Sequence, residues 1–186
     1  MNLLPRMAIL FVTALVVIFD QITKLSVKLH FFYGESIKVL GDFVRFTYIE
    51  NPGMAFGIRI GGRYFFTVFA ALATVIILIY LYRIRHDRFA SRFSLALILG
   101  GAIGNLIDRL AYGQVIDFVD IGLGRTRWPV FNLADSCVTV GMIMLVVFVL
   151  FERDQPAAIS NAAVFPDGRP TPSSEHDNWL DAKRKT

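Results

Sequence analysis

Apolar residues gather along this chain in four blocks, at about 7–29, 64–83, 93–112 and 132–151, while polar and charged residues collect in the gaps between them. Within a block the apolar positions are nearly continuous rather than spaced for a helix with one wet face. Each block reaches the roughly 20 residues that a helix needs to cross a hydrocarbon core of about 30 Å. The pattern predicts a mainly α membrane protein with four transmembrane helices. The first block, MAILFVTALVVIF after Arg6, is followed by DQITKLSVK, which offers no small-x-small cleavage site, so it is expected to stay as a helix rather than leave as a signal peptide. Between the first two blocks, VLGDFVRFTYIENPGMAFGI alternates and is rich in Val, Phe, Tyr and Ile ahead of a Pro-Gly break. This predicts a few short strands lying on the membrane surface. Beyond Glu152 the chain turns polar and aperiodic, so a membrane domain over 1–152 is expected to precede a disordered cytoplasmic tail over 153–186.

Composition agrees: 55% of the 186 residues are hydrophobic, and the net charge of +4 comes from basic residues in the gaps, where topology alone would put them. No nucleic-acid partner is expected. Arg83, Arg85, Arg88 and Arg92 crowd the second connection, which the positive-inside tendency makes cytoplasmic. Both termini are then cytoplasmic, and residues 30–63 and 113–131 lie outside, although Lys38, Arg45, Arg59, Arg63, Arg125 and Arg127 dilute the contrast. Tyr64, Phe65, Phe66, Tyr80, Tyr82, Tyr112 and Trp128 fall where helices meet headgroups and are mostly read as interfacial anchors. Cys137 is the single cysteine and is read as a small buried hydrophobe. His30, His86 and His176 are too scattered for a metal centre, and no metal or cofactor is expected. There is no internal repeat of the transporter kind.

A charged side chain at mid-helix costs about 2.5–3.5 kcal/mol on the insertion scale and needs partners or water. The polar residues in and beside the spans are Asp20, Gln21 and Lys24; Asn105, Asp108 and Arg109; and Asn132 and Asp135, all toward the outer ends. The outer loop GQVIDFVDIG adds Asp117 and Asp120 at the same depth. Asp20 and Lys24 are four apart and can pair along one helix, and Asp108 can join a structural network with Lys24 or Arg109. Ala96, Gly100, Gly104 and Asp108 form a smooth stripe suited to close helix approach. Asp135 has no basic residue within a helical turn.

Two aspartates close together in a poorly hydrated site share a proton across neutral pH and so offer an acid and a base at once. One takes a proton from water as it attacks a peptide carbonyl, and the other donates to the carbonyl oxygen. Pattern alone leaves open whether Asp135 pairs with Asp117, Asp120, Asp108 or Asp20. A proton or cation conductor would spread its carboxylates over several depths, and a scaffold would need no second carboxylate facing Asp135. A serine–lysine protease built from Ser136 or Ser26 with Lys24 is a further alternative.

Five segments in order, DQITK at 20–24, ENPGMAFG at 50–57, GGAIGNLIDRL at 100–110, GQVIDFVDI at 113–121 and FNLADS at 131–136, closely resemble the bacterial lipoprotein signal peptidases (signal peptidase II), which are intramembrane aspartyl proteases. The resemblance runs from about Met7 to Phe151 and implies that Asp117 and Asp135 are the catalytic dyad. It places Asn51, Gly53, Asn105, Asp108, Arg109, Asn132, Ala134, Asp20 and Lys24 around the site, with Asn51 and Arg109 expected to grip substrate backbone, Asn105 and Asn132 to position it, and Asp20 with Lys24 to support the structure. It also implies a small extracytoplasmic β-sheet cradle between helices 1 and 2 and a mobile segment over the site, within the stretch 37–60. The implied substrate is a diacylglyceryl-modified prolipoprotein, cut just before its lipidated cysteine by a monomeric enzyme of the inner membrane, with the active site near the periplasmic face. Two acyl chains would keep that substrate in the outer leaflet, in contact with membrane lipid and at the depth of the dyad. Inhibition by the cyclic peptide globomycin is implied as well. Met54, in NPGMAF, departs slightly from the family pattern and is expected to matter little.

Overall fold

The computed structural model describes residues 4–53, 63–83 and 89–152. Met54 and the rest of the stretch 37–60 beyond Gly53, and the tail over 153–186, lie outside the described residues. The chain divides into two compact units, Met1–Val149 and Leu150–Thr186, and the described part of the second is the end of the last helix.

The four apolar blocks form four helices: α1 (Leu4–His30), α2 (Arg63–Arg83), α3 (Phe89–Tyr112) and α4 (Leu133–Glu152). All are long and apolar enough to cross a membrane. Their membrane windows differ in burial, at 61% for α3 against 6% for α2 and 11% for α4. The third helix is therefore the centre of the bundle, and the others turn most of their surface outward.

The small-residue stripe on α3 explains why it can be central. Thr13 of α1 donates its hydroxyl to the Ala96 carbonyl at 3.3 Å, Val16 lies over Gly100, Asp20 over Gly104, and Lys24 reaches Asp108. A Cβ on Gly100 would sit 2.6 Å from Val16 Cβ, so the helices meet at a distance only glycine permits. Residue numbers rise together along this seam, so α1 and α3 run parallel. Their C-terminal ends are joined by Lys28, whose Nζ lies 3.7 Å from the centroid of the Tyr112 ring. A second set of small residues seats α4: a Cβ on Gly101 would collide with the Ala134 carbonyl, and one on Gly141 would lie 2.7 Å from the Ser94 carbonyl.

The alternating stretch forms β1 (Ser36–Leu40) and β2 (Val44–Asn51). They are half of a four-stranded antiparallel sheet in the order β1-β2-β3-β4. The cradle expected between helices 1 and 2 thus draws equally on the connection after α3, which supplies β3 (Val115–Leu123) and β4 (Thr126–Arg127). Two short strands alone leave open edges and little to bury, and β3 covers β2 from Val44↔Ile121 to Asn51↔Val115. Ile116 and Phe118 on one face of β3 pack with Tyr48 of β2 and Val27 of α1, fixing the sheet to the C-terminal end of the first helix.

Candidate active site

Asp135 stands where α4 begins for a local reason. Asn132 is the N-cap: its Oδ1 accepts from the Asp135 backbone N–H at 2.9 Å, while Asp135 Oδ2 accepts from the Asn132 N–H at 3.3 Å. This reciprocal arrangement is a capping box with Asp135 in the third helical position, where a carboxylate also meets the positive end of the helix dipole. The segment before it runs back along β3, with Phe131 bonded to Val119 in both directions, at 3.0 and 2.7 Å. Asn132 is thereby brought beside Asp117.

Asp117 and Asp135 each receive two neutral N–H donors. Asp117 Oδ1 accepts from Asn132 Nδ2 at 2.7 Å and its Oδ2 from Asn51 Nδ2 at 3.1 Å. Asp135 Oδ1 accepts from Asn105 Nδ2 at 2.8 Å, in addition to its bond from the Asn132 backbone. Ionised carboxylates offer about four acceptor sites, so each keeps capacity for a water or a substrate group. Burial first, and then the charge of Asp135, push the Asp117 carboxyl up to about 7, against the lowering influence of its Asn51 and Asn132 donors. Both carboxylates line one cavity of about 660 Å³ with Asn51, Ser136 and Thr139, closed on its apolar side by Trp128, Pro129 and Val140 among others.

The remaining aspartates are otherwise engaged. Lys24, only 1% exposed, pairs with Asp20 at 2.8 Å and Asp108 at 3.0 Å. Asp20 Oδ1 also accepts from the Ala134 N–H at 2.9 Å, tying α1 to the start of α4, and Asp108 Oδ2 accepts from the Ile116 N–H at 3.2 Å, tying α3 to β3. Asp120 pairs with Arg127 at 2.6 Å and accepts from the Thr47 hydroxyl at 3.0 Å. Among the described residues no cation lies within ion-pairing distance of Asp117 or Asp135. Of the four candidates for pairing with Asp135, Asp117 is the one that lines the same cavity.

Neither serine of the serine–lysine alternative is bonded to Lys24. The Lys24 ammonium is fully occupied, Ser136 donates to the Asn132 carbonyl at 2.9 Å, and Ser26 is exposed on α1. Arg109 donates to the Asn105 carbonyl one turn back, at 3.2 Å, and pairs with no carboxylate among the described residues. Gly53 closes a turn in which its N–H donates to Asn51 Oδ1 at 2.9 Å, and its φ of 106° together with the Phe66 ring where a Cβ would project leaves room for glycine alone. Trp128, read from the sequence as an anchor, is a wall of the cavity. Its position four residues before Asn132 was the available signal.

The chain was compared with known proteins. The family model described as signal peptidase (SPase) II matches residues 12–151. The "Lipoprotein signal peptidase" of Syntrophus aciditrophicus is 43% identical over 156 residues, covering 81% of this chain and 97% of that protein. That of Burkholderia mallei is 48% identical over 139 residues, covering 73% and 82%. Among solved structures, one titled as a bacterial membrane enzyme determined by the in meso method at 2.3 Å superposes with a TM-score of 0.71 at 32% identity, covering 83% of this chain and 94% of its own. Family model, relatives and fold agree over the whole helical unit, and this multi-pass membrane protein belongs to the signal peptidase II family.

Proposed function

We propose that the chain is an intramembrane aspartyl endopeptidase that removes the signal peptide from diacylglyceryl-modified prolipoproteins, cutting just before the lipidated cysteine. The observation that carries this reading is the contrast among its aspartates: Asp20, Asp108 and Asp120 are matched by Lys24 and Arg127, whereas Asp117 and Asp135 face a shared cavity and, among the described residues, receive neutral N–H donors and no ion pair. Such a pair holds one proton between its members up to about pH 7, in keeping with the raised Asp117 carboxyl.

In the reaction proposed, the ionised member takes a proton from water as the water oxygen bonds to the scissile carbonyl carbon. The protonated member gives its proton to the carbonyl oxygen. The tetrahedral diol then collapses: one hydroxyl proton returns to a carboxylate, the C–N bond breaks, and the amine nitrogen takes up the other carboxyl proton. No metal or nucleophilic side chain enters. Asn51, which lines the cavity, and Arg109 suit contacts to substrate backbone, while Asn105, Asn132, Gly53, Ala134, Asp20, Lys24 and Asp108 hold the pair in place.

The arginine-rich connection supports cytoplasmic termini and an active site at the opposite, periplasmic face of the inner membrane. A substrate anchored by two acyl chains meets the pair there without leaving the lipid. One chain supplies the entire site, which suits a monomer, with the membrane domain over 1–152 and the tail beyond it.

Processing of a diacylglyceryl-modified prolipoprotein by purified protein in detergent tests the reading. Asp117→Asn and Asp135→Asn should each lose at least about 10²-fold in rate. Chelators and serine reagents should have no effect, and globomycin should inhibit. Normal cleavage by either properly folded amide variant overturns the dyad.

A further inference from the structure

The Lys24 ammonium has three N–H donors and places one on each of Asp20 Oδ2, Asp108 Oδ2 and Asn105 Oδ1, at 2.8, 3.0 and 2.9 Å. The first two contacts balance charge. The third is not needed for that, since two carboxylates already outnumber the one cation. It does determine which way round the Asn105 amide lies. An ammonium can only donate, so the amide oxygen faces Lys24 and the NH2 faces Asp135, whose Oδ1 accepts at 2.8 Å. The same Asn105 oxygen accepts from Asn132 Nδ2 at 3.1 Å, and that NH2 also donates to Asp117 Oδ1 at 2.7 Å. One buried cation thus orients the Asn105 amide, whose NH2 reaches Asp135, while Asn132 is turned the matching way by its cap on the Asp135 backbone N–H.

We propose that Lys24 is a positioning residue of the hydrolytic pair: through Asn105 it holds a donor, not an acceptor, against Asp135, and so sets the pH range over which the pair keeps a single proton. This rests on the reading of Asp117 and Asp135 as the catalytic pair. Among the described residues the charged and titratable groups around the layer are few. They are Asp20 and Lys24 from α1, Asp108 and Arg109 from α3, Cys137 from α4, and Glu50 from β2, which is itself held by Tyr48 and Gln114. Phe66, the described side chain of α2 that approaches Gly53, is uncharged. Without the Lys24 ammonium, the Asn105 oxygen keeps only its 3.1 Å bond from Asn132, so the amide can turn that oxygen toward Asp135, and a carboxyl group tolerates a facing oxygen only by holding a proton. The pair then keeps its proton to higher pH.

The test compares pH profiles of kcat and KM for prolipoprotein cleavage by wild type, Asp108→Asn and the double variant Lys24→Met with Asp108→Asn. The double variant removes one cation and one carboxylate together, so the layer keeps its formal charge, and Asp20 keeps its donors from Ala134 and Gln21. Its alkaline limb should move up by about one pH unit, with kcat lower by about tenfold and KM within about twofold of wild type. Asp108→Asn alone should leave the limb within about 0.3 unit, because Lys24 still orients Asn105. A purely structural lysine would instead lower the melting temperature and the active fraction without moving the limb. Asn105→Leu, which leaves both ion pairs of Lys24 in place, should reproduce the shift, so the proposal is decided even if the double variant does not fold. An unmoved limb in either folded variant, with Asp117→Asn and Asp135→Asn inactive, overturns the role of Lys24 and spares the pair. Normal cleavage by an amide variant overturns the pair itself and this role with it.

Discussion

Asn132 combines two functions that a substitution can separate. Its side-chain oxygen caps α4, and its NH2 holds Asp117 at 2.7 Å. Serine is an equally good cap but carries no amide NH2. Asn132→Ser should therefore leave the melting temperature nearly unchanged while lowering kcat by roughly tenfold to 10²-fold, and Asn132→Ala should lower both, with a stability loss of about 1 kcal/mol. Asp117 carries a pH prediction of its own. Its folded carboxyl sits near 7 against an ordinary value of 3.8, so between those values the folded chain binds the proton more tightly than the unfolded chain. The stability this provides is present below about pH 4 and is lost as pH rises through about 7. Cleavage should fall over the same alkaline limb as the shared proton leaves, and Asp117→Asn, with no charge to bury, should melt above wild type at about pH 8. A variant melting below wild type there would show that burial does not penalise the Asp117 charge.

At the scale of elements, the contact between α1 and α3 depends on absent side chains. A Cβ at Gly104 would lie 2.5 Å from Asp20 Oδ2, so Gly104→Val should force the helices apart, cost about 1–3 kcal/mol in thermal unfolding and loosen the Asp20 bond to Ala134. The four helices were legible in the sequence because lipid leaves the backbone few alternatives, and their boundaries fall within a few residues of the apolar blocks. The small-residue stripe was legible for the same kind of reason, although which helix it would seat was not. The pairing of β2 with β3 was hidden: its partners, from Asn51↔Val115 to Val44↔Ile121, lie 64 to 77 residues apart in sequence, and VIDFVDIGL carries two aspartates that obscure the alternation of a buried strand. Trp128, an aromatic ring at the edge of an apolar block, suits an interface and a cavity wall equally well. What separates the two roles is the return of 128–131 along β3, a long-range pairing that local pattern does not encode.

At the scale of the molecule, every group assigned to the site belongs to the unit Met1–Val149, so a chain ending after Glu152 should insert and cleave prolipoprotein at a rate within about twofold of the full chain. Loss of cleavage by an inserted truncation would assign the tail a part in the reaction. The parallel seam between α1 and α3 also bears on how the protein is made. The first helix enters the bilayer while α3 is still unsynthesised, and for that interval Asp20 and Lys24 have only each other, one turn apart, as company in the lipid. Arrival of α3 supplies Asp108 and Asn105 and completes the ammonium's set of acceptors. Asp117 and Asp135 emerge from the ribosome later still. On the proposed reading of Asp117 and Asp135, a partly made chain therefore holds no competent water-activating centre, and hydrolysis begins only once the last crossing has been threaded into place.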